Sequence, residues 1–293
     1  MDTRFWGPSG WQLLHLIAAS PVTNTQAVYD WFHLLEFVLP CKYCRASFHD
    51  YMKLQPLTKA IIEDKTAFSR WIFDIHNRVN DKLRGQGLLN KRNPSWATVR
   101  DHWLHAAREL CESATPTQKG WDFFTSIAYS TPDSDYKAVP MPDAPEQTSN
   151  WSSLDMATRN RYNLMTREER ITALTQWWKL LPSILPCAAW RKSWAEAYRK
   201  VGEPPLASFH TQRSQQQQQQ QSQRKAVMQW MWNVECAVCD GLKCPTPHPS
   251  LHFLKKEVGA FESSCSSATG SRRKTCRRTR KRLLRLQKTH KKR

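Results

Sequence analysis

The sequence predicts an all-α fold, and three observations carry that expectation. Apolar and aromatic side chains recur at helical spacing in Trp11 to Ala18, Val28 to Val38 and Phe68 to Val79. No stretch sustains the every-other-residue alternation of a half-buried strand. Pro8 and Pro40 stand where helices begin, with φ already set and no amide hydrogen wasted.

Taken in order, these runs place a helix through Trp11 and His15, a second over 28–38, a third opening at Cys41, and a fourth through Trp71 and His76. The Pro, Asp and Ser of 131–149 read as an exposed loop. Gln212 to Gln223, with seven consecutive glutamines from Gln215, cannot bury a core. Everything after about Ala260 reads as tail.

Composition narrows the function classes. The chain has 293 residues, 40% of them hydrophobic, enough for two small domains or one large one. Its 14 tryptophans fill cores or wall a flat aromatic cofactor. Only 9 glycines argue against a glycine-rich phosphate-binding fold. No stretch reaches the roughly 20 apolar residues of a membrane-spanning helix, and the early Asp2 does not suit a signal peptide. A protein of the cytoplasm is expected, with the nucleus an alternative because of the tail.

The net charge of +19 is concentrated: 271–293 hold 13 Lys or Arg and no acid, leaving +6 for the other 270 residues. Such a block serves nucleic-acid contact, a nuclear address, an anionic surface or simple solubility. The remainder is not basic enough for a primary nucleic-acid binder.

Nine cysteines are too irregular for a secreted disulfide scaffold. The sharpest cluster is Cys41-Lys42-Tyr43-Cys44, directly after Pro40. A cysteine in a helix's first turn sees unpaired amides and the positive helix end, which favour thiolate. Zinc is the rival, but it needs four ligands, and no second Cys pair or His pair lies nearby; His33 and His49 lack matching spacing. Farther along, His76, Asn77 and Asn80 place three hydrogen-bonding side chains on one helix, beside Trp71 and Phe73. That set is costly in a plain core and suits a ligand with polar edges and a flat ring.

Three pieces of the second half echo the first in the same order. Gly10-Trp11-x3-His15-x-Ile17-Ala18 matches Gly120-Trp121-x3-Thr125-x-Ile127-Ala128. Leu39-Pro40-Cys41-x2-Cys44-Arg45-x-Ser47-Phe48 matches Leu185-Pro186-Cys187-x2-Trp190-Arg191-x-Ser193-Trp194. Trp71-x4-His76-Asn77-x-Val79-Asn80-Asp81-x-Leu83 matches Trp230-x4-Glu235-Cys236-x-Val238-Cys239-Asp240-x-Leu242. Chance similarity of helical patterns competes with any one match; three ordered matches favour duplication.

The set Trp6-Gly7-Pro8-x2-Trp11-x3-His15, Pro40-Cys41-x2-Cys44 and His76-Asn77-x-Val79-Asn80-x-Lys82-Leu83 resembles the Erv/ALR family of FAD-linked sulfhydryl oxidases, over about 3–88 and loosely to Trp103. Its compact start is similar to the versions carried by large DNA viruses. The resemblance implies a four-helix bundle plus a short fifth helix, holding FAD. It implies that Cys44 is the flavin-proximal cysteine and Cys41 the one that exchanges with protein thiol substrates. Electrons would pass to molecular oxygen as hydrogen peroxide. His15, His76, Asn77, Asn80 and Lys82 would hold the cofactor, with Gly7, Trp11, Val79 and Leu83 completing the pocket; no metal is implied.

Departures from the family pattern follow. No shuttle-bearing N-terminal arm is seen, and Cys111 alone cannot supply the structural disulfide many members carry after the His-Asn motif. The expected organisation is an oxidase domain over 1–112, a degenerate helical copy over 118–258, and a disordered basic tail over 259–293. The copy has Trp190 at the proximal cysteine, Thr125 at the first histidine, and Glu235 and Cys236 at the His-Asn pair, so no FAD is expected there. It resembles the pseudo-oxidase half of quiescin-type oxidases, as an internal partner or beside a homodimer interface. Cys236, Cys239, Cys244 and His248 read as a structural set, a shuttle pair or a zinc site; Cys265 and Cys276 are further shuttle candidates. The competing classes are a non-catalytic nucleic-acid binder acting through 271–293 and a zinc module.

Overall fold

A computed structural model describes residues 2–133, 135–137, 139–141, 143–144, 151–206 and 222–261. Among them all regular structure is helical, as expected. The first half comprises α1 (Thr3–Ala19), α2 (Thr25–His33), α3 (Leu35–Val38), α4 (Lys42–Leu54), α5 (Lys59–Glu63), α6 (Lys65–Gly85) and α7 (Trp96–Glu112). The second comprises α8 (Trp121–Tyr129), α9 (Met156–Arg161), α10 (Arg167–Ile184), α11 (Ala188–Val201), α12 (Gln223–Leu242) and α13 (Leu251–Ala260).

Side-chain caps set most helix starts by occupying amides with no intrahelical partner. Asp64 accepts from Thr66 and Ala67 at the head of α6, Ser95 from Thr98 at α7, and Thr166 with Glu169 forms a reciprocal capping box at α10. Asp2 likewise caps α1, accepting from the Arg4 amide. This corrects the reading of Pro8 as a helix start: the cap opens the helix at Thr3 and Pro8 lies inside it. The run 28–38 is also two helices, broken at Leu34.

The core is one continuous apolar cluster drawn from both halves. Helix α8 packs on α1, α10 on α2 and α3, and α9 on α4. Gly10 permits the first of these contacts: a Cβ there would meet the Phe123 ring at 3.1 Å. Trp31 of α2 stacks on Trp177 of α10 with centroids 4.8 Å apart.

Several expectations are corrected here. The 131–149 stretch is not simply an exposed loop, because Thr131 and Pro132 are buried and Met141 accepts a hydrogen bond from Lys42 at 3.2 Å. Gln223 belongs to α12. The tail cannot begin at 259: α13 runs to Ala260, Phe261 stacks on Phe5 at 4.7 Å, and the Phe261 carbonyl accepts from the Asp2 amide. The glutamine tract, Cys265, Cys276 and the basic block 271–293 lie outside the described residues.

Cys111 does have a partner. It is disulfide-bonded to Cys187, with Cα atoms 5.1 Å apart and a sequence separation of 76. The expectation that Cys111 was stranded failed because its partner sits in the other half, where sequence distance hides it.

Candidate redox site

Cys41 caps α4 in extended conformation (φ −111°, ψ 125°), so its carbonyl receives the Cys44 and Arg45 amides, each at 3.0 Å. One turn on, Cys44 lies beneath it, and both sulfurs are half-buried. The proton distribution is asymmetric. Cys41 is drawn down to about 6, chiefly by the hydrogen bond from the Cys44 thiol. Burial opposes this, while the Cys44 amide, the Arg45 charge and the Tyr43 amide add to it. Cys44 is pushed well above the ordinary thiol range by the same hydrogen bond, by burial and by the charge on Cys41, with Lys82 and Arg45 opposing. Within the coupled pair, charge is therefore favoured on Cys41 over Cys44. Between them Tyr43 is 42% exposed.

Beside the pair lies a face built by α1, α6 and α7. His15 Nε2 and His76 Nδ1 hydrogen-bond at 3.0 Å. Trp11 stacks on His76 with centroids 4.0 Å apart and planes within 6°, and Trp103 stacks on His15 at 5.0 Å and 3°. Burial holds His76 down to about 4; burial, then the His76 and His102 charges, holds His15 down to about 3. Both rings are neutral at physiological pH. Farther along α6, Asn80 donates to Asn93 Oδ1 at 3.1 Å, and Lys82 reaches Ser47 Oγ on α4 at 2.5 Å. Asn77, Val79 and Leu83 are half-buried on the same helix.

The candidates thus separate into two groups: Cys41 and Cys44 on α4, and Trp11, His15, His76 and the following α6 residues. Lys82 joins them through Ser47. Gly7 lies on α1 one turn before Trp11, with open space where a Cβ would stand. Sequence reasoning missed Trp103 as a stacking partner, Asn93 as a cap on Asn80, and Arg45, whose position one turn after Cys41 was the available signal. Asn160, hydrogen-bonded to Arg45 from 115 residues away, left no local signal.

Cys236, Cys239 and Cys244 are free thiols, with Cys239 and Cys244 in side-chain contact. His248 is not directed to them; it bonds Glu235 at 2.7 Å and lies 3.4 Å from Glu257. Among the described residues no His/Cys/Asp/Glu group is arranged to hold a metal ion, and no helix is long and apolar enough to cross a membrane.

Fold and site together define an α-helical redox protein organised around a helix-start dithiol. The Erv1/Alr family model matches residues 8–103. A FAD-linked sulfhydryl oxidase of African swine fever virus is 36% identical over 101 residues, covering 33% of this chain and 77% of the relative. The "Probable FAD-linked sulfhydryl oxidase" of Acanthamoeba polyphaga mimivirus is 33% identical over 85 residues, 27% of this chain and 59% of that protein's length. The mitochondrial FAD-linked sulfhydryl oxidase of Saccharomyces cerevisiae is 31% identical over 88 residues, 28% of this chain and 45% of its own. No solved structure matches. The chain belongs to the Erv1/Alr family.

Proposed function

We propose that this protein is a FAD-linked thiol oxidase that forms disulfides in protein substrates through Cys41 and Cys44. The observation that carries the reading is the free Cys41–Cys44 dithiol at the head of α4, with Lys82 of α6 reaching Ser47 one turn further along the same helix.

The residues present fit FAD. Trp11 and Trp103 offer flat walls, and His15, His76, Asn77, Asn80 and Lys82 offer hydrogen bonds for polar edges. Arg78 Nε, on the same helix, is buried with no hydrogen-bond partner among the described residues, a donor that a ligand would satisfy. When bound, FAD supplies a two-electron acceptor beside Cys44, reoxidised by molecular oxygen to give hydrogen peroxide. The chain's own part is the exchange. A substrate thiolate bonds to Cys41 Sγ of the oxidised pair, the Cys41–Cys44 bond breaks, and its electron pair leaves on Cys44. The substrate's second thiolate then bonds to its first sulfur, releasing Cys41 as thiolate. The product is a substrate disulfide, with two electrons left on the pair.

Residues 118–258 are, in this proposal, a degenerate copy that holds no flavin. Supporting this, matched positions make matched bonds: Arg45 and Arg191 each donate to a leucine carbonyl, Leu39 and Leu185, at 2.7 Å. Trp71 and Trp230 each donate at 2.9 Å to the residue that ends α4 or α11. Where the cofactor face would lie, Trp190 is fully buried and bonds the Pro116 carbonyl.

Purified full-length protein tests both parts. The expected result is a yellow protein with one flavin per chain and thiol-dependent oxygen uptake. Cys44→Ser is expected to keep the flavin and reduce uptake to the assay background. A colourless protein, or undiminished uptake by the variant, defeats the oxidase assignment; more than one flavin per chain defeats the degenerate copy.

A further inference from the structure

We propose that the second half completes the redox centre: Asn160, on α9, fixes the buried Arg45 guanidinium one helical turn from Cys41, and that fixed charge favours the Cys41 thiolate. The inference rests on Cys41 and Cys44 being the redox pair and assigns Asn160 as a positioning residue.

Arg45 is a costly group to place where it stands. It is only 5% exposed, and a guanidinium out of water needs several partners to persist there. Its Nε donates to Asn160 Oδ1 at 2.6 Å and its Nη1 to the Leu39 carbonyl at 2.7 Å. Asn160 is itself fully buried, and its amide donates to the Glu36 carbonyl at 3.2 Å and the Met156 carbonyl at 3.1 Å. With both of its ends engaged, Asn160 has one orientation, and so does the guanidinium it accepts from.

The partners of Arg45 are neutral oxygens, so its charge is not cancelled where it is held. Acidic groups near α4 are already engaged: Glu36 with His49, Asp50 with Arg161, Glu169 with Arg159, and Asp155 as the cap of α9. A second buried guanidinium, Arg170 on α10, also faces Arg45, with Tyr136 beside both. Its Nη2 donates to the Ser130 carbonyl, while its Nε has no hydrogen-bond partner among the described residues. Lys82 and Tyr51 are the other titratable groups facing Cys44. Two buried cations without a carboxylate between them are best offset by an anion nearby, and the sulfur of Cys41, one helical turn before Arg45, is the group able to become one. The low position of Cys41 agrees, with the Cys44 hydrogen bond its largest cause and Arg45 a further one.

The consequence falls on the exchange. When the substrate's disulfide closes, the bond between Cys41 Sγ and the substrate sulfur breaks and the electron pair leaves on Cys41. A sulfur stabilised as thiolate departs faster. The first half carries Arg45, but α9 aims it.

The test reads the pH midpoint of Cys41 alkylation by iodoacetamide in the reduced, full-length Cys44→Ser protein, which requires no flavin turnover. Arg45→Met is expected to raise the midpoint by at least one pH unit, a tenfold change in acidity. Asn160→Ala removes the acceptor that aims Arg45 and adds no charge, so it is expected to raise the midpoint as well. Arg45→Lys restores part of the shift. A purely structural role predicts lower melting temperatures with the midpoint unmoved. That result in either folded variant overturns the proposal, and Asn160→Ala decides alone if Arg45→Met does not fold. Loss of oxidase activity in wild type would instead strike the enzymatic reading, leaving the midpoints interpretable.

Discussion

Two corners of this molecule begin alike and end differently. At each, a Leu-Pro-Cys turn leads into a helix with cysteine as the extended N-cap: Cys41 before α4, Cys187 before α11. At each, an arginine four residues on reaches back to the leucine carbonyl at 2.7 Å. Then they diverge. Cys41 faces a second thiol and is half-buried; Cys187 is 2% exposed and tied to Cys111. Cys44 occupies the next turn at the first corner, and the buried indole of Trp190 occupies it at the second. The same backbone device thus opens a helix at a free dithiol in one place and at a covalent staple in the other. The neighbouring side chain decides which.

Acid should break the first half's cofactor face most severely. His15 and His76 are held neutral, at about 3 and about 4, against an ordinary value of 6.5. Lowered histidine values mean that the unfolded chain takes up protons first. Stability is then fully present above pH 6.5 and lost as pH falls toward 4 and below. Calorimetry of the full chain between pH 7.5 and 4.5 is expected to show a steep fall in melting temperature, shallower in His76→Gln. An unchanged pH slope in that variant would remove the histidine pair as the cause.

The stapled corner should respond next. Closing a loop across the sequence separation of 76 from Cys111 to Cys187 restricts the unfolded state by about 4 kcal/mol in the chain-entropy picture. Cys187→Ser is therefore expected to lower the melting temperature by roughly 10 °C while sparing Cys41 alkylation at low temperature. Equal melting of the variant and the parent would mean that the tie contributes nothing.

A third contrast lies where α4 meets α6 and α11 meets α12. Lys82 reaches Ser47 in the first; at the matched place in the second, Gly241 approaches Ser193 so closely that a Cβ would lie 2.5 Å from its Oγ. Gly241→Ala is expected to cost about 1–3 kcal/mol by overpacking. Adding Ser193→Gly should recover part of that loss. Additive losses in the double variant would show that the two positions do not touch.

Much of the first half was legible because its chemistry is local. The helix-start dithiol and the His76, Asn77 and Asn80 face need only residues within a few turns, so periodicity and spacing reveal them. What escaped depends on chain returning from afar: the Cys111 partner, the Asn160 bond to Arg45, and the burial of Thr131. Pro8 misled because a proline's preference for helix starts is weaker than an aspartate cap placed six residues earlier. The 28–38 run misled in another way, since apolar periodicity continues through the break at Leu34, where backbone rather than pattern ends the helix.

The smallest effect is expected at the position matched to His76. There Glu235, fully buried, accepts from both the His248 amide at 3.0 Å and its ring at 2.7 Å, pinning the 243–250 connection to α12. Burial alone would lower His248, but the Glu235 hydrogen bond and charge, with Glu257 and Asp122, raise it. The sign is therefore opposite to that of His15 and His76. Stability from this clasp is present below pH 6.5 and lost as pH rises through the elevated value. A fall of a few degrees in melting temperature on the alkaline side, of order 1 kcal/mol, is expected and should vanish in Glu235→Gln, whose amide can still hold the ring but carries no charge. If the alkaline fall persists in that variant, the clasp does not titrate, and the two matched positions differ in shape alone.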